Sequence, residues 1–526
     1  MMKRPKRLRG TVRTAGWRSA IGGAVLCLGT ILTLAAWADD KPTAAAPELP
    51  ARVETRHTIN LPEHPLDYRA VAETIGLTNP KGDPVASVYT VSYLADPPAG
   101  QPRPVAFVFN GGPGAASVFL HLGAIGPRIL ETPATGAVPG PPVHLVDNPS
   151  TWLRFTDLVF VDPVGTGFSH GKGKEDNPDK PFWNVHSDLD SLGAVVRRWL
   201  TRHERWSAPV FLVGESYGGL RAAALAHTLE RDVGISVSGL VLISPALDIE
   251  LLHPDISNTL APAFVLPSYA AAAAALSGTE AIAETARAAE RFALGDYLVG
   301  LAGLKGIPAA GDPFIARVAG LIGLSDEVVR RARGRVPSRE FVRELRRPQG
   351  EILSLYDATV ARAAGADPGN DNAGDPVLDP AIAAYTAAFD SYAPEALGYR
   401  TERPYRVLPR EVSRQWDWDG ARGPGGGEGG LGLALASLEK TLLQHPGTRV
   451  LIANGRYDLV TPYLASRWLV DQLGLSQAVR AAIVLRVYEG GHMMYMRPKS
   501  RAALAADAAD IFAQQSAAPP PSSPTR

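Results

Sequence analysis

Cysteine is almost missing from this 526-residue chain, and the one copy, Cys27, lies close to the N-terminus in an apolar run. No disulfide can form within the chain, so a protein of this length must be held together by a hydrophobic core. An excess of charge of either sign is missing too: 53 Lys and Arg face 53 Asp and Glu. With no basic stripe interleaved with aromatics either, a nucleic-acid partner is excluded as an expectation. Neither a nucleotide-binding glycine loop nor an H-E-x-x-H cluster occurs, so no cofactor and no metal is implied. Length itself is ample, enough for two to four average domains or one large domain carrying an insertion.

The balanced charge hides an asymmetry. Lys3, Arg4, Lys6, Arg7, Arg9, Arg13 and Arg18 stand in the first 38 residues without any acid. Ala20 to Ala36 is apolar and uncharged, and Ala36-Trp37-Ala38 fits the small-x-small cleavage rule, so residues 1–38 read as an export signal with Asp39 as the new N-terminus. The expected location is periplasmic or secreted, without stable membrane insertion after cleavage. An uncleaved anchor is the alternative, because the apolar run is near the lower limit for a span.

Residues 39 to 55, rich in Ala and Pro, read as a disordered lead-in. From His57, three stretches alternate apolar and polar residues (His57 to Leu61, Tyr68 to Leu77 and Ala86 to Leu94), with Asn79-Pro80-Lys81-Gly82 as a turn, which predicts an antiparallel entry to a sheet. Val105 to Phe109, Leu158 to Val161, Val210 to Val213, Leu240 to Ile243, Val450 to Ala453 and Ile483 to Val487 are short and continuously apolar, as parallel strands buried on both faces are. Helical patterns at Val185 to Glu204 and Leu220 to Arg231 fall between them, so the fold class is α/β with a mostly parallel central sheet flanked by helices. The expected organisation is a core at 39–250, a helical cap insertion at 251–400, a return to the core at 401–515 through the glycine-rich loop Gly420 to Gly432, and a disordered tail at 516–526.

The chemistry centres on Val210 to Gly219, V-F-L-V-G-E-S-Y-G-G, which has the strand, sharp turn and helix of a nucleophile elbow with Ser216 at its tip. A serine nucleophile needs a base, and His492 follows a buried-type strand and a Gly490-Gly491 turn. The base needs an orienting carboxylate, and Asp458 lies just past the strand Val450 to Ala453, where loops of open α/β sheets build active sites. The order Ser216, Asp458, His492 is that of α/β-hydrolases. An oxyanion hole needs two backbone N–H donors. One is expected from Tyr217, after the nucleophile, and the other from the loop Asn110-Gly111-Gly112-Pro113-Gly114.

These motifs, with Asn148-Pro149 and Trp152, Asp162-Pro163-Val164-Gly165-Thr166-Gly167-Phe168-Ser169, Asp458 with Pro462, and Gly491-His492-Met493, resemble the serine carboxypeptidase family in sequence and order over about residues 57 to 510. The resemblance implies an α/β-hydrolase fold with a cap, and release of C-terminal residues from peptides bearing a free C-terminus. It also implies that Asn110, Gly111 and Glu215 grip the terminal carboxylate, and that Gly112 supplies the second oxyanion N–H. Three positions depart from the family pattern. Val108 stands where a Trp is usual, Ala124 where the second Glu of the carboxylate-binding pair is usual, and Ala115 where a Cys is usual. An esterase or acyltransferase, a proline iminopeptidase and a non-catalytic binding module on the same fold remain the alternative readings.

Overall fold

The computed structural model describes residues 49–96, 102–252, 255–365, 374–418 and 432–516. Residues 1–38, read as an export signal and holding Cys27, nearly all of the glycine-rich loop and the tail beyond Ser516 lie outside the described residues.

Nine strands form the backbone of one sheet: β1 (Arg52–Asn60), β2 (Pro65–Thr78), β3 (Pro84–Ala95), β4 (Val105–Phe109), β5 (Asp157–Val161), β6 (Val210–Glu215), β7 (Gly239–Ile243), β8 (Arg449–Gly455) and β9 (Ile483–Tyr488). Their spatial order is β1-β2-β3-β5-β4-β6-β7-β8-β9, with the short strand His170–Gly171 paired beside β3. The first three strands and the β3–β5 pair are antiparallel, and all neighbours from β5 to β9 are parallel. Every apolar run read from the sequence is therefore a strand of this sheet, but Ile483 to Val487 carries the exposed Arg486 and, as the edge strand β9, is not buried on both faces. The arrangement is an α/β-hydrolase fold.

Period-two alternation divides the core. Ala106 and Val108 of β4 point into one face with Trp152, Phe160 and Phe512, while Val105, Phe107 and Phe109 point into the other with Trp199, Leu220 and Leu438. The first face is covered by α4 (Leu378–Glu395) and α7 (Pro498–Ser516), and the second by α1 (Val185–Arg202), α2 (Tyr217–Thr228) and α5 (Leu433–Gln444). Burial on both faces explains why the strands from β4 to β8 carry no polar alternation.

Two further expectations need correction. Strand β1 begins at Arg52, inside the stretch read as a disordered lead-in, and it pairs with β2 from Arg52 opposite Glu73 to Asn60 opposite Pro65. It is an edge strand whose residues are mostly exposed, linked by Arg52–Glu54 and Arg69–Glu54 ion pairs, so its sequence lacks the apolar alternation that marks a half-buried strand. Helix α2 begins at Tyr217, three residues before the alanine-rich pattern, because it starts directly off the elbow.

Between β7 and β8 the described chain is mostly helical. Helices from α3 (Leu260–Leu276) to Ser338–Glu344 share a core of their own, with Phe264, Tyr269, Ile315 and Phe341, that extends to Tyr457 and Leu459 after β8 and to Tyr463 at the start of α6 (Tyr463–Gln472). A hairpin, Glu351–Leu353 with Ala361–Ala363, then leads to α4, which packs on the sheet. Among the described residues no helix is long and apolar enough to cross a membrane.

Candidate active site

Ser216 sits between β6 and α2 with φ 60° and ψ −123°, a conformation that non-glycine residues rarely adopt. The surroundings hold it there. Its N–H donates to the Ile243 carbonyl at the end of β7 (3.0 Å), and its own carbonyl accepts from Gly219 (2.9 Å) and Ala246 (3.0 Å). A side chain at Gly218 would meet the carbonyl oxygens of Phe109 and Asn110 at 2.7 and 2.8 Å, and one at Gly111 would sit 2.7 Å from the Tyr217 nitrogen. Glycine at both positions lets the loop after β4 lie flush against the elbow.

That loop is fixed from beneath by a buried ion pair. Arg221 of α2 donates through Nε to Asp188 of α1 (2.8 Å) and through a terminal nitrogen to the Asn110 carbonyl (2.5 Å). Burial pushes the Asp188 carboxyl up, against the opposing pull of Arg221. The Tyr217 ring faces Trp416 and Trp418, so this residue offers the site its main chain and not its phenol. Its N–H is among the first of α2, where helices have no internal acceptor.

His492 is placed by the turn after β9. Its N–H donates to the Tyr356 carbonyl (2.5 Å), its carbonyl accepts from Ser244 Oγ (2.8 Å), and the Tyr356 ring stands edge-on 5.2 Å away. His492 Nδ1 lies 2.7 Å from Oδ2 of Asp458, leaving Nε2 as the nitrogen available for proton exchange. Burial disfavours the imidazolium, but the Asp458 charge and hydrogen bond, with Glu215 beyond, outweigh it and hold the ring above its ordinary value. Asp458 is held in turn by the N–H groups of Val460 (2.7 Å) and Thr461 (3.0 Å) and by the Thr461 hydroxyl (2.7 Å).

Glu215 precedes the nucleophile and is 3% exposed. Asn110 Nδ2 donates to its Oε2, and the Tyr495 hydroxyl lies 2.9 Å from Oε1 and 3.0 Å from Oε2. Burial pushes this carboxyl up to about 7, while His492, Tyr495 and Asn110 pull the other way. Asn110 is itself oriented, since its Oδ1 accepts from the Leu120 N–H at 3.0 Å.

Asn110, Gly111, Gly112, Glu215, Ser216 and His492 line one cavity of about 100 Å³, with Ala115, Phe119, Tyr356, Leu378, Leu408, Val460 and Met493. The sequence-chosen residues thus meet at one place, with Asp458 directly behind His492. A larger cavity, about 670 Å³ between Pro149–Phe155 and α7, has neither histidine nor carboxylate in its wall. Among the described residues no cluster of three His, Cys, Asp or Glu is arranged to hold a metal.

The serine carboxypeptidase family model matches residues 92–250, from β3 through the glycine loop and elbow to just past β7. The resemblance to that family rests on this segment. Serine carboxypeptidase-like 9 of Arabidopsis thaliana is 29% identical over 159 residues, 28% of this chain and 34% of that protein. Serine carboxypeptidase-like 33 of the same plant is 26% identical over 212 residues, 36% of this chain and 40% of that protein. The chain thus spans about a third of the length of these serine carboxypeptidase-like relatives. Among solved structures, the proline iminopeptidase of Mycobacterium smegmatis covers 84% of this chain and 99% of its own at 16% identity and TM-score 0.34. A carboxyl esterase from Bacillus coagulans covers 84% and 99% at 13% identity and TM-score 0.33. The fold assignment rests on the sheet order itself.

Several neighbours of the site were not singled out in the sequence. Thr461 could have been found from its spacing, since an Asp followed three residues later by Thr is a turn in which the carboxylate caps the backbone. Tyr356, Leu378 and Leu408 come from segments distant in sequence, and nothing local marks them. The departures from the family pattern are apolar core positions: Val108 and Ala124 are both buried.

Proposed function

We propose that this chain is an exported serine-type carboxypeptidase that releases C-terminal residues from peptides through an acyl-enzyme. One observation carries the reading. Asn110 and Glu215, joined by a hydrogen bond, share a cavity wall with Ser216 and His492, so a group able to hold a terminal carboxylate stands beside a nucleophile and its base.

In this reading Ser216 Oγ attacks the last peptide carbonyl while His492 Nε2 takes its proton, and Asp458 keeps the imidazole in the required tautomer and stabilises its charged form. The N–H groups of Gly112 and Tyr217 receive the developing oxyanion. His492 then protonates the leaving amine, and water, activated by the same histidine, hydrolyses the ester. A neutral Glu215 donates a hydrogen bond to the substrate carboxylate, which two ionised carboxylates in contact could not do.

The test compares one peptide with a free and an amidated C-terminus. A strong preference for the free acid is expected. Indifference would overturn the carboxypeptidase reading and leave a serine esterase or broader acyl hydrolase, the reading favoured by Val108 and Ala124, which leave the clamp with a single carboxyl. Export rests on residues 1–38, and N-terminal sequencing of secreted material is expected to begin at Asp39.

A further inference from the structure

The space around Glu215 is filled by tyrosines. Tyr495 lies three residues past His492, in the turn Met494–Met496, and is fully buried. Its hydroxyl bridges both oxygens of Glu215 at 2.9 and 3.0 Å. Its main chain is tethered by Arg501 of α7, which donates to the Tyr495 carbonyl at 3.1 Å. Tyr385 of α4 packs alongside: a side chain on Gly123 would meet both the Tyr385 hydroxyl and the Tyr495 ring, so the two rings close on the helical turn that carries Ala124.

We propose that Tyr495 is a positioning residue for Glu215: its hydroxyl, with Asn110 Nδ2 on Oε2, fixes the carboxyl so that Oε1 is the oxygen that carries a proton toward a bound carboxylate. The donors distinguish the two oxygens. Asn110 Nδ2 donates to Oε2, so a proton on Oε2 would point at a hydrogen already there, whereas the single Tyr495 proton serves one oxygen at a time. Among the described residues Oε1 meets only the Tyr495 hydroxyl, and a carboxyl held by Asn110 and Tyr495 in this way cannot turn without breaking both contacts. The carboxylate-facing role rests on the carboxypeptidase reading; the hold of Tyr495 on Glu215 does not.

The groups around Glu215 give the inference a sign. Burial and the Asp458 charge favour the neutral carboxyl, and His492, the Tyr495 hydroxyl and Asn110 favour the ionised one. Tyr385 and Tyr356 also face it, and burial together with the Glu215 charge holds both of their phenols protonated. Removing the Tyr495 hydroxyl therefore takes away a donor to the ionised form and moves the Glu215 titration upward.

Infrared titration of the ligand-free protein reads this without any substrate, the protonated-carboxyl band of Glu215 being assigned by its loss in Glu215→Gln. Tyr495→Phe is expected to raise the midpoint by roughly one pH unit, since a hydrogen bond to a charged group is worth about that much. In case that variant does not fold, 3,5-difluorotyrosine at position 495 keeps the shape, strengthens the donor and is expected to lower the midpoint. On a free-acid peptide, the pH at which KM rises should move with the midpoint in each variant, and KM should change more than kcat. A midpoint that stays in place in both variants overturns the inference. A shifted midpoint in a protein that does not prefer free-acid peptides upholds the hold of Tyr495 on Glu215 while refuting the carboxypeptidase reading.

Discussion

The site contains two buried carboxyls, and they are solvated by the protein in opposite ways. Asp458, 0% exposed, receives two main-chain N–H groups, the Thr461 hydroxyl and the imidazole of His492. Glu215, 3% exposed, receives among the described residues no main-chain donor, only an amide and a phenol, and is pushed up to about 7 by burial. Equal burial thus does not mean an equal supply of donors, and donors aimed at the oxygens are what favour a charged carboxyl. The difference also divides the labour. A carboxylate wrapped in donors can stabilise an imidazolium, whereas a carboxyl left short of them can remain neutral and act as a donor itself.

The largest effect sets the scale. Ser216→Ala should lower kcat by about 10⁴ to 10⁶ with the fold unchanged, and retained turnover would remove the reason for having either carboxyl. Asp458→Asn comes next, with a loss of about 10⁴ in kcat, because an amide allows the wrong tautomer of His492. Glu215→Gln should act on another parameter. The neutral isostere keeps a donor at all pH values, so KM for a free-acid peptide should lose its rise near pH 7 while kcat changes by less than about tenfold. If the two variants lose kcat alike, the comparison collapses, and Glu215 belongs with the catalytic groups.

Much of this is legible in the sequence. Strands buried on both faces must be apolar throughout, so Val105 to Phe109 and Val210 to Val213 stand out, and cavity residues lie just after them. Asp458, His492 and the glycine loop were found in that way. Tyr495 was not, because nothing in M-M-Y-M distinguishes a core tyrosine from one aimed at Glu215 across 280 positions. Tyr356 and Leu378 reach the cavity from residues 251–400, where no strand marks a place in the sheet. Strand β1 was cut short for a simpler reason: a charged edge strand has little apolar pattern to show.

Stability gives an independent reading of the same contrast. Glu215 titrates at about 7 in the folded protein against an ordinary 4.5, so the fold keeps a proton that the unfolded chain has released. Its contribution is fully present below about pH 4.5 and is lost as pH rises through about 7, roughly 3 kcal/mol over that window. Urea unfolding from pH 4 to 8 should show this decline in the wild type and a flatter profile in Glu215→Gln. Equal slopes would mean that Glu215 is ionised in the fold, like an ordinary carboxylate.

The smallest effect probes the donors of Asp458. The Thr461 hydroxyl lies 2.7 Å from Asp458 Oδ2, 2.9 Å from the Ser244 carbonyl and 3.1 Å from His492 Nδ1, and its single proton cannot serve both oxygens at once. Thr461→Val keeps the shape and removes that proton, while the Val460 and Thr461 main-chain donors to Asp458 remain. The expected loss is about 1 kcal/mol in stability and less than tenfold in kcat. A loss in kcat as large as that of Asp458→Asn would place the control of the imidazole in the hydroxyl, and Asp458 would then be no better supplied with useful donors than Glu215 is.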